Sequence, residues 1–184
     1  MKTKAKSNRA AFDRHPATVA VRLQATVRRT LPLYLRLARD TKYATKIARS
    51  IRERKFDRTD QLIRQLLPKA ELSIGAGFGA GFSFGNSTYE VAIYRPGKKV
   101  WGLDLSRISR TMLPMLRKIA ANRRFALRLA KHDLLRQPDE LLRLGQLATG
   151  SRMLERAETD DYGFHYVVKL PNGAKYNFIF NIMI

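Results

Sequence analysis

The stretch Ile74-Gly75-Ala76-Gly77-Phe78-Gly79-Ala80-Gly81-Phe82-Ser83-Phe84-Gly85 decides how the rest of the chain can be arranged. Its even positions are apolar and its odd positions are glycine or serine, and a period of two is typical of a strand with one buried face. The alternation continues with apolar residues at odd positions through residues 89–93 and 101–105. The segment 74–105 is therefore predicted to form an antiparallel meander of strands.

Loop length and side-chain parity together predict the register of this meander. A two-residue loop at 85–86 and a three-residue loop at 96–98 keep the apolar side chains on one face. The predicted pairs are Phe84 with Ser87, Phe82 with Tyr89, Ala80 with Val91, Phe78 with Ile93, Ile93 with Trp101 and Val91 with Leu103.

The opposite face of the first strand carries only Gly75, Gly77, Gly79, Gly81 and Ser83. Bare glycine weakens a strand, which indicates that a helix, a second sheet, a ligand or a partner chain approaches the backbone there. A phosphate-binding loop and a dinucleotide-binding turn are both rejected, because no Gly-Lys-Ser/Thr ending and no helix start follow the glycines.

A second hairpin is predicted over residues 162–184. A three-residue loop over 171–173, with Gly173 left-handed, keeps the aromatic and aliphatic residues on one face. The predicted pairs are Val168 with Tyr176 and Tyr166 with Phe178. Because the chain ends in an apolar strand, Ile182 and Ile184 are expected to be buried.

The N-terminal segments have the apolar periodicity of amphipathic helices. The first begins at Pro16, and Pro32 is expected to end or kink it. The second has Tyr43, Ile47 and Ile51 as its apolar stripe. A third, capped by Thr59 or Asp57, is stopped by Pro68. Its predicted core residues are Leu62, Ile63, Leu66 and Leu67.

Further helices are predicted between the two hairpins. Asp104 or Ser106 is expected to cap a long helical region over 107–136, whose phase breaks near residues 122–124. Pro138, followed by two acidic residues, indicates another helix start. A short helix is predicted to end near Glu158.

These elements predict an α+β protein with an antiparallel sheet of about five strands, the meander 74–105 plus the hairpin 162–184, covered by helices. Residues 1–12 are expected to be a disordered basic tail, 13–70 a basic helical region and 71–184 the α+β core domain. An apolar content of 45% argues against wholesale disorder.

The formal net charge is +21, from 36 basic and 15 acidic residues, and the segments predicted as helices carry most of the excess. Self-repulsion of this size favours an anionic partner. Two sets of basic residues recur at helical spacing with few acids between them, and we expect them to contact phosphates. They are Arg28, Arg29, Arg39, Lys42, Lys46, Arg49, Arg52, Arg117, Lys118, Arg123, Arg124, Arg128 and Lys131.

The sequence thus predicts a non-enzymatic protein that binds DNA or RNA through its phosphate backbone. Base stacking is disfavoured, since most aromatic residues lie at core positions and only Tyr34 and Tyr43 lie among the basic helices. The alternatives are a structural subunit of a larger assembly that binds an acidic protein or a second copy, a basic nuclease-type toxin, and peripheral binding to anionic lipid.

No catalytic motif stands out. His165, Lys169 and Arg95 form the most plausible nuclease-like group, with Asn177 and Asn181 nearby, and Glu90 is a further candidate acid or base. His15 and His132 are expected at the surface, and no metal or cofactor is predicted. Cysteine is absent, which excludes disulfides. Without an evident signal peptide or a run of about 18 apolar residues, a cytoplasmic protein with no membrane span is expected.

Overall fold

The computed structural model describes residues 15–68, 79–84 and 89–182. Its helices are α1 (Pro16–Arg39), α2 (Thr41–Arg52), α3 (Phe56–Arg64), α4 (Gly102–Ala121), α5 (Arg123–Leu134) and α6 (Pro138–Thr149). Its strands are β1 (Gly79–Phe84), β2 (Tyr89–Pro96), β3 (Leu154–Asp160), β4 (Gly163–Lys169) and β5 (Lys175–Ile182). Some predictions lie outside the described part of the chain: those for residues 1–12, for residues 74–78 and for the loop at 85–86. The predictions for the surroundings of the glycine face and for the burial of Ile182 and Ile184 concern side chains that are not described.

All strand pairs are antiparallel, and the strand order is β1-β2-β5-β4-β3. The predicted α+β class with an antiparallel sheet is confirmed. The strands that form the sheet differ from the predicted ones, because β2 pairs with the C-terminal strand β5 and not with a third meander strand.

The C-terminal hairpin has the predicted register. Val168 pairs with Tyr176 and Tyr166 with Phe178, and Gly173 is left-handed with φ 78°. The Leu170 N–H donates to the Ala174 carbonyl at 2.8 Å, which closes the three-residue loop. Parity of the aromatic side chains therefore outweighs the preference of Asn-Gly for a two-residue turn.

The register predicted for β1 and β2 is wrong by four residues. Phe84 pairs with Val91 and Phe82 with Ile93, where the prediction set Phe82 against Tyr89. A shift of four keeps every side chain on its face, so the alternation in the Gly-aromatic repeat cannot distinguish the two registers.

The predicted strand over residues 101–105 is instead the start of α4, and Gly102 is its first residue. Trp101 and Leu103 are half exposed, while Leu105 is buried with Ile108, three residues further on. Three alternating apolar residues are too few to separate a period of two from a helical period. The predicted caps Asp104 and Ser106 consequently lie inside the first turns of α4.

The predicted short helix ending near Glu158 is instead the edge strand β3. A bulge after Leu154 shifts the register, so that Leu154 and Ala157 both face the core although they are three residues apart. This spacing imitates a helix, which explains the error.

Of the two outcomes predicted for Pro32, an end of the helix is wrong: α1 continues to Arg39, because its burial of Leu33, Tyr34 and Leu37 compensates for the missing proline N–H. The predicted start of α3 is also wrong. Helix α3 begins at Phe56, before both predicted caps. The apolar stripe of α2 and the buried Ile63 and Leu67 of α3 are as predicted, and Leu62 and Leu66 are partly buried.

The boundary between α4 and α5 and the start of α6 lie where the sequence predicts them. The phase break lies at Asn122, whose side chain accepts a hydrogen bond from the Phe125 N–H at 2.9 Å and so begins α5. Helix α6 begins at Pro138 with Asp139 and Glu140 in its first turn, where carboxylates suit the helix dipole.

The helices bury one face of the sheet in a continuous hydrophobic core. From α1, Tyr34 packs on Phe178 with ring centroids 5.3 Å apart, and its hydroxyl donates to the Val91 carbonyl. From α6, the Leu141 carbonyl accepts from the Tyr166 hydroxyl at 2.9 Å. The buried aromatic face therefore fixes which side of the sheet the helices occupy.

Asp133, in the last turn of α5, is buried, and its Oδ1 has no hydrogen-bond partner among the described residues. Burial, with a smaller contribution from the charge of Asp160, raises the pKa of this carboxyl to about 7, and the charge of Arg136 opposes the shift. At neutral pH the carboxyl is thus partly protonated, whereas an unfolded chain would ionise it.

We expect the folded state to lose stability, relative to Asp133→Asn, as the pH rises from about 4 to about 7. The folded protein holds a proton that the unfolded chain has released, so the cost grows across that window and levels off above it, reaching about 2–4 kcal/mol. Urea unfolding of both proteins at several pH values tests this, because other titrating groups cancel in the difference. A difference that does not vary with pH would contradict it.

Gly102 allows α2 to pack directly against the first turn of α4. A Cβ at this position would lie 2.4 Å from the Thr45 Cα, which is backbone and cannot rotate away. Gly102→Ala should therefore destabilise the fold by about 1–3 kcal/mol, measurable as a lower midpoint of thermal unfolding. Leu103→Ala, at a half-exposed neighbour, is the control and should cost less; equal effects would argue against a tight contact.

Candidate nucleic-acid interface

The thirteen basic residues predicted to contact phosphates all lie on or beside α1, α2, α4 and α5. Twelve of them are exposed, and Arg52 is half-buried. Their accessibility follows from amphipathic helices whose apolar stripes are buried in the core. We call these thirteen residues the basic surface.

The antiparallel packing of α1 and α4 brings together parts of this surface that lie far apart in sequence. At one end of the helix pair, the Gln24 side chain donates to the Ile119 carbonyl and the Arg28 Nε donates to the Ala120 carbonyl, both at 2.8 Å. At the other end, an Arg110 guanidinium N–H donates to the Ala38 carbonyl at 3.1 Å. The two helices therefore run side by side along most of their length.

One group of cations meets where α4 turns into α5. Arg28 reaches this turn through its bond to the Ala120 carbonyl, and the Lys118 ammonium lies 4.8 Å from the centre of the Phe125 ring. Because Asn122 separates the helices by one residue, the first turn of α5 continues the same positive surface. We call this group the junction cluster; it comprises Arg28, Arg29, Arg117, Lys118, Arg123 and Arg124. Arg128 and Lys131 follow along α5.

A second group, the α2 cluster, lies at the other end of α1 and comprises Arg39, Lys42, Lys46, Arg49 and Arg52. Glu53, beside this cluster, pairs with Lys55 at 2.9 Å and with Arg49 at 2.8 Å, and hydrogen bonds from these two side chains lower its pKa to about 2. Glu53 therefore stays ionised and offsets part of the local charge, while Arg39, Lys42 and Lys46 have no described carboxylate as a partner.

Most residues of the basic surface form no ion pair with a carboxylate of the described chain. Among the described residues, Arg49 is the only one of the thirteen in an ion pair. Other carboxylates pair with cations outside it: Asp40 with Arg36, Asp60 with Arg64, Glu140 with Arg143, Glu155 with Lys175, Glu158 with Arg156 and Asp161 with Arg136. The excess positive charge is therefore available to an external anion.

The aromatic residues near the basic surface are not the predicted ones. Tyr34 and Tyr43 are buried, and the Tyr43 hydroxyl donates to the Leu62 carbonyl at 2.9 Å. Trp101, predicted to lie in the core, is instead 50% exposed beneath Arg52, whose guanidinium carbon is 4.5 Å from the centre of the indole ring. The sequence signal that could have found it is the cationic run Lys98-Lys99 just before it.

Of the proposed nuclease-like residues, His165 and Lys169 lie on the sheet face opposite the helices, and both are near carboxylates. His165 Nε2 lies 3.1 Å from a Glu158 carboxylate oxygen, and Lys169 lies 3.9 Å from Glu155. Glu90 pairs in register with Asn181, whose Oδ1 is buried without a described partner. Arg95 is directed away from His165: it donates to the Lys99 carbonyl and lies over Tyr176. The structure therefore does not bring Arg95 to this group.

The other two histidines have local roles. His15 is exposed and caps α1, where its Nδ1 accepts from the Ala17 N–H at 3.3 Å. His132 is half-buried, with Nδ1 2.7 Å from the Gln137 side-chain oxygen. Within the described ranges, no group of three or more His, Asp or Glu side chains is placed to hold a metal ion. Nor does any helix there have the length and apolar character needed to cross a bilayer.

Comparison of the chain with family models, with curated proteins and with solved structures finds no match in any of the three. Its function is therefore inferred from the chemistry of its own surface.

Proposed function

We propose that this protein binds nucleic acid through contacts of its basic surface with the phosphate backbone, without catalysing a reaction on it. The observation that carries the proposal is that the acidic side chains pair mainly with cations outside the basic surface. Carboxylates pair with Arg36, Arg64, Arg143 and other cations outside the surface, whereas twelve of its thirteen residues, eleven of them exposed, have no ion pair with a described carboxylate.

Phosphate binding gains most of its free energy from the release of condensed counterions, and each neutralised phosphate contributes separately. A cation already paired with a carboxylate contributes less, because that pair must be broken or shared. The residues of the junction cluster suit this role because they are exposed, have no ion pair with a described carboxylate, and lie at the α4–α5 turn or, for Arg28, bonded to it.

The two clusters are spaced to contact an extended polyanion at more than one point. Arg28 and Arg39 lie eleven residues apart on α1, which corresponds to about 16 Å along a helix. A nucleic acid strand in a duplex advances about 3.4 Å per phosphate, so the clusters are roughly five phosphates apart. A polymer can therefore occupy both clusters at once, whereas a mononucleotide cannot.

Backbone contacts of this kind orient a nucleic acid but carry little sequence information. The basic surface consists of flexible lysine and arginine side chains on the outside of helices, and we expect binding with weak sequence preference. DNA and RNA both present the necessary phosphates.

Replacing the junction-cluster arginines, in the variant Arg117→Gln, Arg123→Gln, Arg124→Gln, should weaken binding and its salt dependence. If all three touch phosphates, the slope of log affinity against log salt concentration should fall by about 2 to 3 between about 50 and 200 mM salt. Fluorescence anisotropy with a labelled duplex DNA and a labelled single-stranded RNA, each of about 20 nucleotides, measures this slope.

The matched control is Arg64→Gln, Arg143→Gln, Arg156→Gln, which removes three exposed arginines that are paired with Asp60, Glu140 and Glu158. Both variants lower the net charge equally. A larger loss in the junction variant supports the basic surface as the binding site. Equal losses would mean that only total charge matters, and failure of the unmodified protein to bind either probe would refute the proposal.

A further inference from the structure

Trp101 is the single tryptophan of the chain and lies at the surface beside the α2 cluster. It occupies the position just before α4, and its side chain does not cap that helix. Half of the residue is exposed, and Leu103, two positions later, is also half exposed. An indole usually contributes a large buried area, so an exposed one beside cations requires an explanation.

Arg52 holds the indole in place from one side. The guanidinium carbon lies 4.5 Å from the ring centre, and Nη1 donates to the Val100 carbonyl at 2.8 Å. This bond anchors the guanidinium to the backbone of the residue before Trp101, so the stacked pair is preorganised. A planar group that stacks on the remaining exposed surface would extend an existing cation–π arrangement.

The surroundings of this pair are positively charged. Lys98 and Lys99 are exposed in the preceding loop, where Gly97 adopts φ +61° and Arg95 donates to the Lys99 carbonyl at 2.6 Å. The nearest acid along the chain, Asp104, is buried, and its two carboxylate oxygens accept from the Tyr176 hydroxyl and the Asn172 amide. An anionic planar ligand at Trp101 therefore meets the Arg52 guanidinium and two exposed lysines close by in the chain, while the nearest acid in sequence is already occupied.

We propose that Trp101 is a stacking platform for an unpaired nucleobase, and that the preferred ligand is therefore single-stranded nucleic acid. The inference rests on the proposed function, since the α2 cluster and the 98–99 lysines would hold the flanking phosphates. Any base has a stacking face, so the platform is tolerant of sequence, but a base inside a duplex is not accessible to it. Charge complementarity favours this ligand over an apolar protein segment, which would offer Lys98 and Lys99 no anionic group.

Because Trp101 is the only tryptophan, its intrinsic fluorescence reports directly on the platform. Three probes of about 12 nucleotides are titrated at low salt: a mixed-sequence single strand, the corresponding duplex, and a strand of the same length without bases. The single strand should quench the fluorescence. The duplex and the abasic strand should also bind, which anisotropy would measure, but they should quench the Trp101 fluorescence little. Equal quenching by the abasic strand would overturn the inference, because phosphates alone would then account for the signal.

Variants separate stacking from charge. Trp101→Ala should reduce affinity for the single strand by about 5- to 150-fold and leave duplex binding unchanged, and Trp101→Phe should restore part of the loss. The control is Tyr162→Ala, which removes an exposed aromatic residue directly after Asp160 and Asp161, outside the basic surface, and should change nothing. The quenching measurement on the unmodified protein decides the matter even if a variant fails to fold.

The two proposals fail differently. Salt-dependent binding of all three probes with no quenching, and with unchanged affinity in Trp101→Ala, would overturn the stacking platform and leave backbone binding in place. Absence of binding to every probe at low salt would overturn both. Quenching by vesicles that contain anionic lipid, without quenching by the single strand, would also overturn the platform and assign the exposed indole to a membrane surface.

Discussion

Burial of the aromatic face of the β4–β5 hairpin is the constraint on which the rest of the structure depends. Phe164, Tyr166, Tyr176, Phe178 and Phe180 are almost completely buried, and they need a large apolar cover. The cover comes from the apolar stripes of the long helices, so the opposite, cationic faces of those helices must lie in solvent. The positive surface is thus a consequence of how the core is closed, and the same amphipathic pattern specifies both.

Sequence patterns predict an element well where two independent constraints coincide. In the C-terminal hairpin, aromatic parity and a left-handed Gly173 agree, and the register follows. In β1 the Gly-aromatic repeat allows shifts by any even number of residues, so parity alone left the register open. At β3, a bulge after Leu154 gave the sequence a helix-like spacing, and pairing with β4 makes the segment a strand. At residues 101–105, the half-exposed Trp101 gave the sequence a strand-like alternation, and the segment is a helix whose Gly102 packs against Thr45.

The candidate site was partly predictable for a related reason. Helical spacing identifies which arginines and lysines share an exposed face, and that prediction needs only local structure. The meeting of Arg28 with the α4–α5 turn depends on a contact between residues more than ninety positions apart, for which the sequence carries no local signal. The exposure of Trp101 was missed because it depends on correctly recognising the start of α4.

The distribution of ion pairs explains how a chain of net charge +21 can fold and still retain an attractive surface. Acids are placed within one helical turn of selected cations, as in Arg36–Asp40 and Arg64–Asp60, which relieves repulsion locally at low cost in side-chain ordering. The junction cluster has no such acids, so its repulsion persists in the unbound protein. Under the proposed function, a polyanion that binds there would reduce this repulsion, and by linkage its binding would stabilise the fold. The proposed affinity and the repulsion within the free protein would then have a common electrostatic origin.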